Sequence, residues 1–387
     1  MQPSAKNVVI LGATGSIGQS ALEVISTSDG RLRCLGITSH SKLDRSVEFC
    51  QTHRPDYLIA TDLNKANSFD FSSLPATTKL EKGTEPVADL VSRDDVDCVI
   101  AAIVGSAGIH GTIAALKAGK RVGLANKETL VMAGQQVMKI ASDNSAEIIP
   151  VDSEHSAVYQ SLKAGHPNEV KKILLTASGG PFRKHSKQQL DEVQIEDALA
   201  HPTWSMGPKI SVDSATMMNK ALEIIEARWL FDLKPDQIGV VVHPQSIVHS
   251  FVEFVDGSVI AQMSPPDMKL PIQYALDYPE RTFGTATRMN WEEAMSLEFE
   301  PPDLDRFPAL SLGFQVAASG GSAGAVLNAA NEVAVEKFLA GHLRFNEIVP
   351  ACKSVLDHHN YDANPTLDEL FEYDRWARKE ISSRVCT

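Results

Sequence analysis

From Asn7 to Ser142 short apolar runs alternate with helix-like ones, and this alternation restricts the chain to few folds. The runs are Asn7–Leu11, Ser16–Ser26, Arg31–Thr38, Leu43–His53, Asp97–Ile103, Ala107–Ala118, Arg121–Ala125 and Glu128–Ser142. Strands separated by crossover helices make a parallel sheet, so the fold class is α/β. From about Asp152 the pattern changes to longer loops punctuated by glycine and proline, with polar residues inside apolar stretches. Helical periodicity returns in Ala309–Ser319, Ala325–Leu339 and Leu367–Arg384. We therefore expect an N-terminal α/β domain over residues 1–150 and a central α/β or α+β domain over 151–285. A linker over 286–306, containing Glu300-Pro-Pro-Asp-Leu-Asp305, then leads to a C-terminal helical domain over 307–387.

A length of 387 residues suits two or three domains with real cores. The 36 basic residues against 49 acidic ones leave a net charge of −13, which argues against nucleic acid or an anionic membrane as a partner. A local phosphate pocket stays compatible with that balance. Cys34, Cys50, Cys98, Cys352 and Cys386 are odd in number, scattered and without Cys-x-x-Cys spacing, so a reducing, cytoplasmic setting is expected. No basic and apolar leader precedes the first β-run, and we expect no targeting peptide. The uncharged run Cys98–Leu116 is split by Gly105, Gly108 and Gly111, so it reads as strand, loop and helix start, and no membrane span is expected.

The first unit, Val8-Val-Ile-Leu-Gly-Ala-Thr-Gly-Ser-Ile-Gly18, places Gly12, Gly15 and Gly18 on a strand-to-helix turn. It resembles the dinucleotide-binding fingerprint of a Rossmann-like domain. Glycine permits the tight turn and a close backbone approach to pyrophosphate, and the helix N-terminus offers free N–H groups, with Thr14, Ser16 and Ile17 lining the turn. A plain strand–helix turn is the alternative reading. The second β-run ends in Gly36-Ile-Thr-Ser-His-Ser-Lys-Leu43, without the acid that usually holds the ribose 2′-hydroxyl of NAD(H). Ser39, His40 and Ser41, with Lys42 or Arg45 nearby, suit a 2′-phosphate, and NADP(H) is expected over NAD(H); an ordinary polar turn would read the same. Lys127 and Glu128, at the end of Arg121–Ala125, should face the cofactor crevice.

Asp152 and Glu154 follow the run Glu147-Ile-Ile-Pro-Val-Asp152. On an extended chain residues i and i+2 share a face, so the two carboxylates read as half of a divalent-metal site. Asn219, Lys220 and Glu223 share one face of a helix that also carries Met217, Met218, Leu222 and Ile225. A surface salt bridge is the bland account, whereas a buried helix would require partners or a metal for those charges. The loop Thr176-Ala-Ser-Gly-Gly-Pro-Phe-Arg183 can present Ser178 and backbone N–H groups to an anion, or simply turn before a helix. His201-Pro-Thr-Trp-Ser-Met-Gly-Pro208 has no regular period and carries Trp204 and Met206, which suggests a lid over a closed site. His243 and His249 lie on a β-like background, as core histidines or as ligands.

Together these blocks resemble the 1-deoxy-D-xylulose 5-phosphate reductoisomerase family of the non-mevalonate isoprenoid pathway. The resemblance runs from Gly12–Gly18 through Ala125–Leu130, Pro150–His155, Ser178–Arg183, His201–Gly207, Lys209–Glu226 and His243–His249. It continues in Phe307–Leu310 and Leu327-Asn-Ala-Ala-Asn-Glu332. It implies that Asp152, Glu154 and Glu223 are ligands of Mg²⁺ or Mn²⁺, with Co²⁺ as a further candidate, since carboxylate oxygens are hard donors. It further implies a phosphate pocket of Ser178, Ser214, Asn219 and Lys220, and groups around the reacting carbons from Ser153, Lys127 and His201. Trp204 and Met206 fall on the family's flap, and Thr14, Gly15, Ser16, Ile17, Asn126, Glu128 and Gly207 on its NADPH contacts. Ser39-His40-Ser41 departs from the Gly-x-Asn triplet that relatives often carry.

The implied chemistry is rearrangement and NADPH-dependent reduction of a phosphosugar in a homodimeric enzyme, with the dimer interface in the central domain. Two rivals differ from it: a reductase of the same fold acting on another sugar acid, and a catalytically dead NADP sensor. The first is opposed by the presence of the phosphate and metal residues, the second by that of all three carboxylates.

Overall fold

The computed structural model describes residues 5–204 and 206–384, so Cys386 lies outside the described residues. The chain groups into two units. One contains the chain up to Thr129, Val137–Ser156 and Asp267–Thr287; the other contains Leu130–Gln136, Ala157–Pro266 and the chain from Arg288. This grouping differs from boundaries at residues 150, 285 and 306, because the chain returns to the first unit after residue 266.

The first unit is built on β1 (Lys6–Leu11), β2 (Leu32–Ser39), β3 (Tyr57–Ala60), β4 (Lys79–Lys82), β5 (Cys98–Ala101), β6 (Arg121–Leu124) and β7 (Ile148–Pro150). They form one sheet in the order β4-β3-β2-β1-β5-β6-β7, with every pairing parallel. Helices α1 (Ser16–Ser26), α2 (Leu43–His53), α3 (Leu63–Ser68), α4 (Glu85–Ser92) and α5 (Ile109–Lys117) supply the crossovers, and α6 (Glu128–Asp143) follows β6. Val8, Val9, Ile10 and Leu11 are all buried, the unbroken apolar pattern of a strand covered on both faces. The strand order reverses beside β1, and a crevice at the carboxyl ends of the strands forms at such a switch point.

The sequence reading passed over residues 54–96, which contain β3, α3, β4 and α4. These strands are four residues long, and β4 is the charged edge Lys79-Leu-Glu-Lys82, so no long apolar run announces them. Helix α12 (Lys269–Asp277) belongs to the same unit. Its end is held by an Arg31–Asp277 ion pair, and Arg121 donates to the carbonyl of Tyr278 at 2.6 Å. Gly123 leaves room for Ile100 of β5, since a Cβ there would lie 2.5 Å from Ile100 Cδ1 but an ordinary 3.5 Å from Ala275 Cβ of α12.

One expectation is corrected here. The chain is not extended from Asp152 to Glu154: β7 ends at Pro150 and helix α7 (Ser153–Ser161) begins at once. Asp152 precedes the first helical residue, and its carboxylate accepts the backbone N–H of Glu154 at 3.2 Å. An aspartate in that position satisfies the unpaired donors of a first helical turn, which favours the helix over two more strand residues.

The second unit contains β8 (Val170–Ala177), β9 (Ile238–Val242), β10 (Val248–Phe254) and β11 (Val259–Met263), in the order β11-β10-β8-β9. β8 and β9 are parallel and the other pairings antiparallel. Short helices α8 (Lys187–Leu190) and α9 (Ile195–Leu199) precede α10 (Pro208–Ala215) and α11 (Met218–Leu230), and α13 (Ala309–Ser319), α14 (Ala323–Leu339), α15 (Ile348–His358) and α16 (Leu367–Arg384) follow. The sequence periodicity found α13, α14 and α16 and omitted α15. Ile173, Leu175 and Val252 of the sheet share a core with Leu222 and Ile225 of α11 and Leu310 and Leu327 of α13 and α14. Gly313 lets α13 meet α11 backbone to backbone: a Cβ there would lie 2.7 Å from Ala221 Cα. Gly313→Ala should cost about 1–3 kcal/mol through overpacking, read as a lowered denaturant midpoint at unchanged slope. An unshifted midpoint would show that the two helices separate without cost.

Candidate active site

In the first unit the candidate residues stand at the carboxyl ends of strands. After β1, Gly12 has φ +84° and its N–H donates to Thr38 Oγ1 at 2.9 Å, tying the turn to β2. A Cβ on Gly18 would lie 2.5 Å from the carbonyl oxygen of Gly12, so only glycine lets α1 start so close to β1. Gly15 precedes α1 with no side-chain cap, and Gly15 and Ser16 are exposed; the first N–H groups of the helix thus face outward without a local acceptor from a cap. After β2, His40 and Ser41 are exposed, while Ser39 is buried with its hydroxyl donating to the carbonyl of Lys42 at 3.4 Å. Asp62, which caps α3 after β3, has its Oδ2 3.9 Å from His40 Nε2. Arg45 is engaged with Glu48 at 2.7 Å.

After β6, Asn126 is buried, and its amide NH₂ donates to the carbonyls of Ile103 and Gly105 while its oxygen accepts the N–H and hydroxyl of Thr129 at 2.8 and 3.0 Å. It fastens the loop after β5 to the start of α6. Lys127 and Glu128 are buried beside it. Lys127 Nζ pairs with Asp152 Oδ2 at 2.6 Å, both side chains being 11 % exposed. Asp152 Oδ1 lies 3.7 Å from Nδ1 of the buried His155, and carboxylate oxygens of Asp152 and Glu154 come within 4.8 Å of each other. Ser153 Oγ donates to Glu154 Oε2. The two acids are thus paired after all, by a helical turn in place of a strand face.

In the second unit Ser178 follows β8 on a loop where Gly179 and Gly180 have φ +84° and +66°. Gly180 rests on α10, where a Cβ would lie 2.7 Å from the carbonyl oxygen of Ser214. His201 Nδ1 accepts the N–H groups of Thr203 and Trp204 at 3.2 and 2.9 Å, which places the imidazole proton on Nε2, 3.1 Å from Ser178 Oγ. Ser178 Oγ also accepts the N–H of Gly180 at 3.2 Å, so its own hydrogen is left to donate to a ligand oxygen. Burial holds His201 below its ordinary value, in agreement with that neutral tautomer. Trp204 and Met206 are half-buried, and Gly207 caps α10. On α11, Glu223 is 1 % exposed; Asn219 donates to its Oε1 at 2.5 Å and Lys220 pairs with its Oε2. The surface salt bridge is thereby excluded, because Lys220 is 3 % exposed.

Three family models match this chain: 1-deoxy-D-xylulose 5-phosphate reductoisomerase over residues 8–134, that family's C-terminal domain over 148–231, and a DXP reductoisomerase C-terminal domain over 263–380. The reductoisomerase of Pelotomaculum thermopropionicum is 50 % identical over 374 residues, covering 96 % of this chain and 97 % of the relative. The chain belongs to the 1-deoxy-D-xylulose 5-phosphate reductoisomerase family. The Rhodopirellula baltica reductoisomerase is 46 % identical over 96 % of this chain and 93 % of its own. A solved DOX-P reductoisomerase in complex with NADPH, fosmidomycin and magnesium superimposes with a TM-score of 0.92 at 42 % identity, covering 98 % of each chain. The Zymomonas mobilis reductoisomerase in complex with NADPH gives a TM-score of 0.92 at 36 % identity, covering 98 % of this chain and 99 % of that one.

Within this reductoisomerase-family fold His243 and His249 both make local hydrogen bonds. His243 is buried, its Nδ1 bonded to the carbonyl of Glu298 at 2.8 Å and its Nε2 to the N–H of Ile247 at 3.1 Å, while His249 Nε2 meets Ser264. The sequence reading missed Asp213. This buried acid of α10 pairs with Lys209 at 2.8 Å and accepts from Asn331 of α14 at 2.8 Å, anchoring the helix just after the His201–Gly207 loop. Its signal was the motif Leu327-Asn-Ala-Ala-Asn-Glu332, where a polar amide sits in an apolar helix. Buried Cys34, Cys50 and Cys98 are pushed up to about 12 by burial, so none offers a thiolate. A proton on His201 Nδ1 would break two backbone bonds, and the unfolded loop binds that proton more readily. The ordered loop should therefore keep full stability above about pH 6.5 and lose it as pH falls below. Amide exchange at Thr203 and Trp204, corrected for intrinsic rate, should be less protected at about pH 5.5 than at about 7.5; equal protection would contradict the tautomer.

Proposed function

We propose that this chain catalyses the NADPH- and divalent-metal-dependent isomerisation and reduction of 1-deoxy-D-xylulose 5-phosphate to 2-C-methyl-D-erythritol 4-phosphate, a step of non-mevalonate isopentenyl diphosphate biosynthesis. Family membership over nearly the whole chain carries the reading. Asp152, Glu154 and Glu223 hold the cation. Its fit rests on the paired carboxylates of Asp152 and Glu154 and on the buried Glu223, hard oxygen donors that suit Mg²⁺ or Mn²⁺. When bound, the cation supplies Lewis acidity at the substrate's carbonyl and hydroxyl oxygens and NADPH supplies the hydride.

The chain's own residues do the rest. The N-terminus of α1, with Thr14, Gly15, Ser16 and Ile17, binds the cofactor pyrophosphate, and Asn126, Glu128 and Gly207 contact the cofactor beyond it. Asn126 contributes by positioning, since its side chain is already committed to the loop after β5. His40 and Ser41 take the 2′-phosphate, with Ser39 contributing through the turn. Ser178, Ser214, Asn219 and Lys220 bind the substrate phosphate, Ser178 donating the hydrogen that His201 and Gly180 leave to it. That binding energy, remote from the reacting carbons, holds the chain for reaction. Lys127 donates to the carbonyl oxygen being reduced, Ser153 and His201 flank the carbon skeleton, and Trp204 and Met206 close over it to exclude water.

The finer assignments belong to the same reading. Manganese serves as well as magnesium, the enzyme is a cytoplasmic homodimer, and residues 1–150, 151–285 and 307–387 act as NADPH-binding, catalytic and C-terminal helical parts around the 286–306 linker. Val259 and Ile260, exposed on edge strand β11, support the dimer interface in the catalytic part. Among the described residues no helix is long and apolar enough to cross a membrane. The decisive assay is oxidation of NADPH, and of NADH in parallel, with 1-deoxy-D-xylulose 5-phosphate. Turnover should require Mg²⁺ or Mn²⁺ and favour NADPH, and Glu223→Gln should abolish it with NADPH binding retained. Metal-independent or absent turnover would remove the assignment, and equal efficiency with NADH would remove the 2′-phosphate contacts.

A further inference from the structure

Lys127 and a cation on Asp152 would share one carboxylate. Asp152 Oδ1 accepts the N–H of Glu154 at the start of α7 at 3.2 Å and lies 3.7 Å from His155 Nδ1, whereas Oδ2 carries the Lys127 ammonium at 2.6 Å. The main chain beside Lys127 is anchored, because Asn126 bonds the loop after β5 and Thr129 of α6, and Glu128 opens α6. Only the four-carbon stem is left to move. An ammonium and a divalent cation on one carboxylate would stand within a few ångströms of each other. With both side chains 11 % exposed, water screens their repulsion poorly.

We propose that Lys127 is a built-in competitor for the divalent cation. Its ion pair with Asp152 sets the metal affinity, and it is released toward the substrate oxygen only when the cation takes that carboxylate. The polarising charge is therefore delivered when the Lewis acid is in place. The inference rests on Asp152 being a metal ligand, and the coupling must be reciprocal: removing the ammonium tightens metal binding, and metal binding frees the ammonium.

The test is a Mn²⁺ titration of the full chain without NADPH or sugar phosphate, following the electron paramagnetic resonance signal of free Mn²⁺. Lys127→Gln should bind about tenfold more tightly than the parent, and Lys127→Arg like the parent, while Asp152→Asn should bind more weakly. Unchanged or weaker binding in Lys127→Gln, with Asp152→Asn weakened, overturns the competition alone. Parent-like binding in Asp152→Asn overturns the ligand assignment beneath it. A second measurement needs no variant: the acetylation rate of Lys127 in the parent, read by peptide mass spectrometry, should rise at saturating Mn²⁺. A rate that stays the same or falls overturns the proposal.

Discussion

The ion pair between Lys127 and Asp152 is the interaction on which the site depends. It joins the turn after β6 to the turn after β7, two strand ends that the parallel sheet sets side by side. Each partner stands beside an anchored stretch of chain: Lys127 between Asn126 and the Thr129 that bonds it, Asp152 with its carboxylate on the N–H of Glu154. Buried charges need partners, and a buried carboxylate that can exchange an ammonium for a cation holds its geometry in both conditions. The sheet therefore does more than carry the glycine turn; its last two strand ends set out the groups proposed to do the chemistry.

The second unit meets a different constraint, the placing of the hydroxyl, amide and ammonium groups proposed to recognise a phosphate. Ser178 is turned into a donor by two acceptor commitments, one to Gly180 and one to His201, and His201 is held in one tautomer by the backbone of the loop it begins. The order of the loop after His201 and the proposed phosphate recognition by Ser178 thus share one imidazole. Behind them, Asp213 and Asn331 pin α10 at the end of that loop.

Much of this was legible in the sequence because it rests on short-range rules. The glycines at 12, 15 and 18 are demanded by a tight strand–helix turn, and the buried ammonium–carboxylate face of α11 follows from helical spacing among apolar neighbours. The rest depends on contacts between distant segments. Asp62 lies beside His40 only because β2 and β3 are neighbours in the sheet, and Asn331 reaches Asp213 across more than a hundred residues. Asp152 and Glu154 were paired by the wrong local geometry, since a run rich in isoleucine and valine conceals a helix cap at its end.

The proposed function requires one divalent cation held by Asp152, Glu154 and Glu223 together. Anomalous diffraction from crystals grown with Mn²⁺ tests it most directly. The account predicts a single strong anomalous peak within coordination distance of carboxylate oxygens of all three residues; a peak that leaves any one of them beyond that distance would contradict it.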